Sequence, residues 1–121
     1  MSAWVWVGVA VLGSLGALAR MGLETRISSR RRMAFPLGTF AVNISGAFAA
    51  GLLAGLTVAG NAQVLLGAGA IGSYTTFSTW MLETHRLNED GDRQAALVNV
   101  LASVACGLAA AAFGRTVGGW L

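Results

Sequence analysis

The stretch Gly72-Ser73-Tyr74-Thr75-Thr76-Phe77-Ser78-Thr79-Trp80 sets a glycine and a run of hydroxyls in the middle of a segment otherwise apolar enough to span a membrane. Unpaired polar groups are costly in hydrocarbon, so irregular, hydroxyl-rich backbone survives there only where it is buried in protein or lines a path for something polar. The run points to a chain that conducts or binds a small polar species inside a bilayer.

The flanking sequence supports that setting. Of 121 residues, 55% are hydrophobic and 11% charged, and no charge occurs between Arg32 and Glu83. That gap is long enough for two spans of the roughly 20 residues that a bilayer core requires. Hydropathy outlines four spans, about Ala3 to Ala19, Pro36 to Val58, Ala62 to Leu82 and Ala95 to Gly114. The expected fold is an all-α integral membrane protein, a single four-helix transmembrane domain over residues 1–121 with its third helix broken near Gly72–Thr76. Between the spans lie a basic loop (Arg26, Arg30, Arg31, Arg32), a short turn near Gly60-Asn61 and a mixed-charge loop from Arg86 to Arg93, which leave no room for a soluble domain. A signal peptide is the alternative for the first span, but charge follows the apolar run instead of preceding it, which suits a retained helix. The net charge of +3 comes without a lysine, and arginines in short loops flanking spans are explained by topology and lipid headgroups rather than nucleic acid. Cys106 cannot form an intrachain disulfide and reads as a small buried hydrophobe.

Small and polar residues within the spans describe how the helices meet. Gly46, Ala50, Gly51 and Gly55 on the second span, and Gly107 with Ala111 on the fourth, form small-xxx-small faces that let backbones approach closely. Thr39 and Asn43, four residues apart, make a polar strip on one helical face, and Asn99 and Ser103 repeat it. Interhelical hydrogen bonding is one account of such strips. Pore lining is the other, because Asn amides and Ser or Thr hydroxyls offer the donors that an anion needs when it sheds water.

In the third span Gly72, followed by poor helix formers, favours a local break. A break exposes carbonyls suited to a hard cation such as sodium. Beyond it Phe77 and Trp80 share an aromatic face, and Thr75, Thr79 and Glu83 follow at intervals of four. Aromatic ring edges carry partial positive charge that can contact an anion, although the same spacing also describes ordinary core packing.

Together, Gly13-x-x-Gly16-x-x-x-Arg20, then Gly38-Thr39-x-x-Val42-Asn43-x-x-Gly46-x-Phe48, then Gly69-x-x-Gly72-x-x-Thr75-Thr76-Phe77-Ser78-Thr79-x-x-x-Glu83 closely resemble the Fluc (CrcB-type) fluoride channels along essentially the whole chain. The resemblance implies an antiparallel dimer in the cell membrane that exports fluoride by passive electrodiffusion, with no enzymatic chemistry. It implies a structural sodium ion at the dimer interface, on backbone carbonyls of Gly72 and Thr75 from each subunit. By the same match Asn43 and Phe77 stand in the pore and Ser103 in a polar track of the fourth helix. Arg20 would lie near an aqueous vestibule, and Glu83 near the end of a hydroxyl ladder formed by Thr79 and its neighbours. Trp80 stands where the family has a second pore phenylalanine, and Gly107 where it has a serine.

The arginines bear on the partner. The loops around 24–34 and 84–94 share one side and carry Arg26, Arg30, Arg31, Arg32, Arg86 and Arg93, against Arg115 on the other. The positive-inside rule puts those loops in the cytoplasm and both termini outside. A fixed orientation suggests an oppositely inserted paralogue as partner, beside the homodimer that the family favours. A small multidrug-type proton antiporter is the competing function. It needs an embedded carboxylate in the first span, which Ala3 to Ala19 lacks. A non-conducting structural subunit would leave the midmembrane hydroxyls without a purpose.

Overall fold

The computed structural model describes residues 2–30 and 35–121, without the side chains of 28–30. Arg31 and Arg32 of the basic loop lie outside the described residues, as does the side chain of Arg30.

Helix α1 (Ala3–Arg30) runs on past the span end expected at Ala19. Its 28 residues reach about 42 Å at 1.5 Å per residue. That exceeds the ~30 Å hydrocarbon core, so the Arg26 end projects beyond it as helix rather than loop. Helix α2 (Leu37–Gly55) starts after Pro36, whose carbonyl accepts from the Phe40 N–H at 3.1 Å. It stops in a tight turn where Thr57 N–H bonds the Ala54 carbonyl and Val58 N–H the Leu53 carbonyl. That pattern usually carries glycine in the left-handed region, yet here Thr57 holds φ 56°. The turn therefore falls at 56–59, just before the Gly60-Asn61 pair.

The third span is not one helix. A short α3 (Gly60–Gln63) leads into a π-helical stretch (Val64–Ile71) and a last turn, α4 (Gly72–Tyr74). The Gly72 N–H bonds the Gly67 carbonyl five residues back, which closes the wide turn. Residues 75–77 break the helix, and α5 (Ser78–Glu89) resumes it. Gly72 itself is helical, with φ −59° and ψ −37°. The break expected at Gly72 thus comes later, inside the Gly72–Thr76 window and extending to Phe77. After a turn at Gly91 (φ 85°), Asp92 caps α6 (Arg93–Trp120) by accepting from the Ala95 N–H at 3.0 Å.

Among the described residues three helices, α1, α2 and α6, are long and apolar enough to cross a membrane. The broken third span, Gly60–Glu89, completes an all-helical bundle. The closest packing joins α2 to α6, backbone against backbone. A Cβ on Gly51 or Gly55 would collide with the carbonyls of Ala111 and Arg115, and one on Gly114 or Gly118 with those of Phe48 and Leu52. Gly107, expected on that face, has only Ile44 Cδ1 within reach, so the tight seam begins at Ala111, one turn further along α6. On the opposite side Gly16 of α1 presses against the Ala70 carbonyl of the π-helical stretch. Buried apolar side chains are few, Val5, Val42 and Ala96 among the described residues, whereas Leu15, Leu18, Phe77, Leu101, Leu108 and Phe113 are all exposed. Such a surface suits lipid or a second subunit, not water.

Candidate functional site: a groove at the helix break

The break is built by a side chain from another helix. Thr75 N–H still closes onto the Ile71 carbonyl at 3.0 Å, and its hydroxyl adds a bond there at 3.3 Å. In a continuing helix the next N–H, that of Thr76, would reach the Gly72 carbonyl. It donates instead to Asn43 Oδ1 at 2.8 Å, while Asn43 Nδ2 donates to the Thr76 carbonyl at 2.9 Å. One amide on α2 thus takes the place of two helix neighbours. Thr76 Oγ1 then accepts from the Thr79 N–H at 3.2 Å and starts α5 in the manner of an N-cap. The carbonyls of Gly72 to Thr75 are left at a helix end with no following turn to engage them.

A groove of about 540 Å³ opens beside this break, between α2 and α6. Asn43, Gly46, Thr75, Phe77, Trp80 and Ser103 are among its lining residues, most of the remaining lining is apolar, and no charged side chain among the described residues takes part. Asn43 has spent its oxygen and one amide hydrogen on Thr76 and keeps a second hydrogen. Ser103 Oγ is buried without a partner. Phe77 is 70% exposed and meets Trp80 edge-on, with ring centroids 5.7 Å apart and planes at 80°. The indole N–H of Trp80 is turned out of the groove and donates to the Asn99 carbonyl at 3.2 Å.

Of the residues singled out from sequence, the structure gathers Asn43, Thr75, Phe77, Trp80 and Ser103 around the groove and places Thr39, Thr79, Glu83 and Arg20 elsewhere. Thr39, buried on α2, donates its hydroxyl to the Glu83 carboxylate, so the Thr39–Asn43 strip ties α2 to the third segment at two heights. The series Thr75, Thr79, Glu83 is interrupted, because Thr75 lies in the break whereas Thr79 and Glu83 lie on α5. Arg20 sits on α1 with a buried, unpartnered Nε, and Glu24, a turn later, has an equally unpartnered Oε1. Glu24 and Arg86 act electrostatically on Glu83, so charges collect where α1, α2 and α5 meet. Glu24 was missed because the first span was expected to end at Ala19. The first helix does carry a carboxylate, but near its C-terminal end and not at mid-depth. Asn99 was expected beside Ser103, but its amide donates to Thr84 Oγ1 at 2.8 Å and it does not line the groove. His85 pairs with Glu89 on an exposed face of α5.

No three His, Cys, Asp or Glu side chains converge among the described residues, so a metal ion would rest on other oxygens. The carbonyls freed from Gly72 to Thr75 fit a hard, oxygen-seeking cation such as sodium. Gly72 presents no side chain over them and is exposed.

Apolar membrane-capable helices around a broken segment, with a largely apolar groove that carries a few polar side chains at the break, define a multi-pass membrane protein. Sequence comparison sharpens that class: the family described as CrcB-like protein, Camphor Resistance (CrcB), matches residues 7–115, and the chain belongs to that family. Among its relatives, the fluoride-specific ion channel FluC 2 of Mycobacterium tuberculosis (strain ATCC 25618 / H37Rv) is 46% identical over 113 residues, 93% of this chain and 90% of that protein. Fluoride-specific ion channel FluC 1 of Symbiobacterium thermophilum is 47% identical over 121 residues, covering 95% of this chain and 96% of that protein. Fluoride-specific ion channel FluC 2 of Haloarcula marismortui is 48% identical over 96 residues, 79% of this chain and 78% of that protein.

Proposed function

We propose that this chain is a subunit of a fluoride channel in the cell membrane, through which fluoride leaves the cytoplasm by passive electrodiffusion. The observation that carries the reading is the groove at the break, which offers hydrogen-bond donors and ring edges with no fixed charge. A fluoride ion shedding water needs donors. The second amide hydrogen of Asn43, the unpartnered Ser103 hydroxyl and the edges of Phe77 and Trp80 supply them in sequence. None is a strong fixed countercharge, so each contact admits the ion and lets it go. Arg20 would serve as a vestibule charge, and Thr39, Thr79 and Glu83 would flank the far end of the path. No bond is made or broken, and the protein is not an enzyme.

The groove lies open on one side, where Phe77 is exposed, and a second subunit in the opposite orientation would close it. A dyad beside the break would bring the Gly72 and Thr75 carbonyls of both chains together, and sodium held there would neutralise the facing helix ends. The arginine bias supports a fixed orientation with the termini outside. The numbered names of the relatives, FluC 1 and FluC 2, support a paralogue as one form of that partner beside a second copy of this chain. The test is fluoride efflux from liposomes, read by a fluoride electrode with chloride and proton controls. Efflux with this chain alone establishes the homodimer, and efflux only on adding an oppositely inserted paralogue establishes the pair. Silence in both, or proton-coupled flux, ends the proposal.

A further inference from the structure

Trp80 forms one wall of the groove, and its orientation is set from outside its own helix. Its indole N–H donates to the Asn99 carbonyl on α6 at 3.2 Å. Asn99, only 1% exposed, donates its amide to Thr84 Oγ1 at 2.8 Å, and Thr84 Oγ1 donates to the Trp80 carbonyl at 2.8 Å. These bonds close a ring through Trp80, Thr84 and Asn99. Thr84 spends its hydroxyl proton on the Trp80 carbonyl and accepts from the Asn99 amide nitrogen. In that arrangement Asn99 Oδ1 points away, buried and without a partner. An acceptor oxygen repels an anion. Asn99 is thus turned the wrong way to hold fluoride, although its strip-mate Ser103 lines the groove.

We propose that Thr84 and Asn99 are positioning residues for the pore's second aromatic wall, acting through Trp80. They hold the indole N–H against α6, so that the groove meets the carbon edge of the ring and not its donor. The proposal rests on the reading of the chain as a fluoride channel. A free indole N–H would give fluoride a charge-assisted hydrogen bond, stronger than a ring edge and slower to release. The ring of bonds keeps that donor out of the path. A tryptophan can thereby stand in a conducting groove without becoming a trap.

The test uses the full chain with 15N-labelled tryptophan, the Trp80 indole resonance being identified by its absence in W80F. Adding fluoride to the wild type should leave the Trp80 indole proton where it is, because that proton already faces a carbonyl. A strong downfield shift on fluoride addition would overturn the proposal without any variant at position 84. In T84V the indole resonance should move, and fluoride efflux should fall about fivefold, the effect of losing one hydrogen bond, with the oligomer unchanged on gel filtration. T84S, which restores the hydroxyl, should recover both. An unmoved resonance in T84V, or equal losses of flux in T84V and T84S, would also sink it. A wild type that carries no fluoride, alone or with its paralogue, removes the channel reading instead, and the indole resonance still reports the positioning by itself.

Discussion

Replacing Asn43 with leucine removes both bonds to Thr76 while filling similar volume. In soluble proteins a net hydrogen bond is worth about 1 kcal/mol, and a buried polar group left unpaired costs about 1–3 kcal/mol. Between membrane helices the measured average is nearer ~0.6 kcal/mol. Two bonds lost, at 2.8 and 2.9 Å, with the Thr76 N–H and carbonyl left in a partly buried site, give an expected cost of roughly 1.5–4 kcal/mol. Part of that cost should be local, because Thr76 also starts α5 through Thr79. Amide exchange at Thr76 and Thr79 should accelerate by at least about tenfold, the factor corresponding to 1.4 kcal/mol. Fluoride efflux should fall with it. Asn43→Asp separates the two roles, since it keeps the acceptor for the Thr76 N–H but turns a carboxylate oxygen toward the Thr76 carbonyl and the anion path. The reasoning is refuted if the leucine variant loses flux while exchange at Thr76 and melting temperature stay at wild-type values, for then Asn43 serves the ion alone.

Phe77→Ile should lower fluoride efflux while leaving assembly intact, and undiminished flux in liposomes would remove the ring edge from the ion's path. Gly114→Val forces a side chain into the Phe48 carbonyl on α2; overpacking of this kind costs about 1–3 kcal/mol or more, so the yield of folded protein after detergent extraction should drop sharply. The same change at Gly107, where a Cβ meets only Ile44 Cδ1 at 3.9 Å, should be tolerated, and equal damage at both positions would place the tight seam wrongly. Thr57→Gly relieves a left-handed backbone that costs an L-residue about 1–2 kcal/mol, less some gain in unfolded-chain freedom. Its melting temperature should rise, and a fall would show that the Thr57 hydroxyl bond to the Leu56 carbonyl matters more.

The spans, the existence of the break and the groove residues Asn43, Phe77 and Ser103 were legible in sequence because each is a local signal: hydropathy, a cluster of hydroxyls, an amide at mid-depth. What sequence hid was pairing. The break falls after Tyr74 because Asn43 captures Thr76 from 33 residues away, while the glycine that resembled a hinge closes a π turn instead. Thr39 and Glu83 looked like parts of a free polar path, yet they are bonded to each other across 44 residues. The position of the α2–α6 seam is likewise ambiguous in a helix rich in small residues, where several registers satisfy the same spacing. The fate of the Trp80 donor was invisible for a different reason: its acceptor is a main-chain carbonyl, which any residue at position 99 would supply.

The π-helical stretch gives the third segment one residue of slack. Its turns hold one residue more than an α-helical turn, so deleting a single residue between Val64 and Ile71 is absorbed by reverting to α geometry with little loss of bonding. The residue lost is the one the wide turn carries in excess, so Phe77 still faces the groove and Thr76 still meets Asn43. A further deletion finds no such slack and turns everything downstream by about 100°, the angular step of an α-helix. Alignments of this segment should therefore accept one gap and no more, and counting its length is a quicker guide to a working groove than reading its letters.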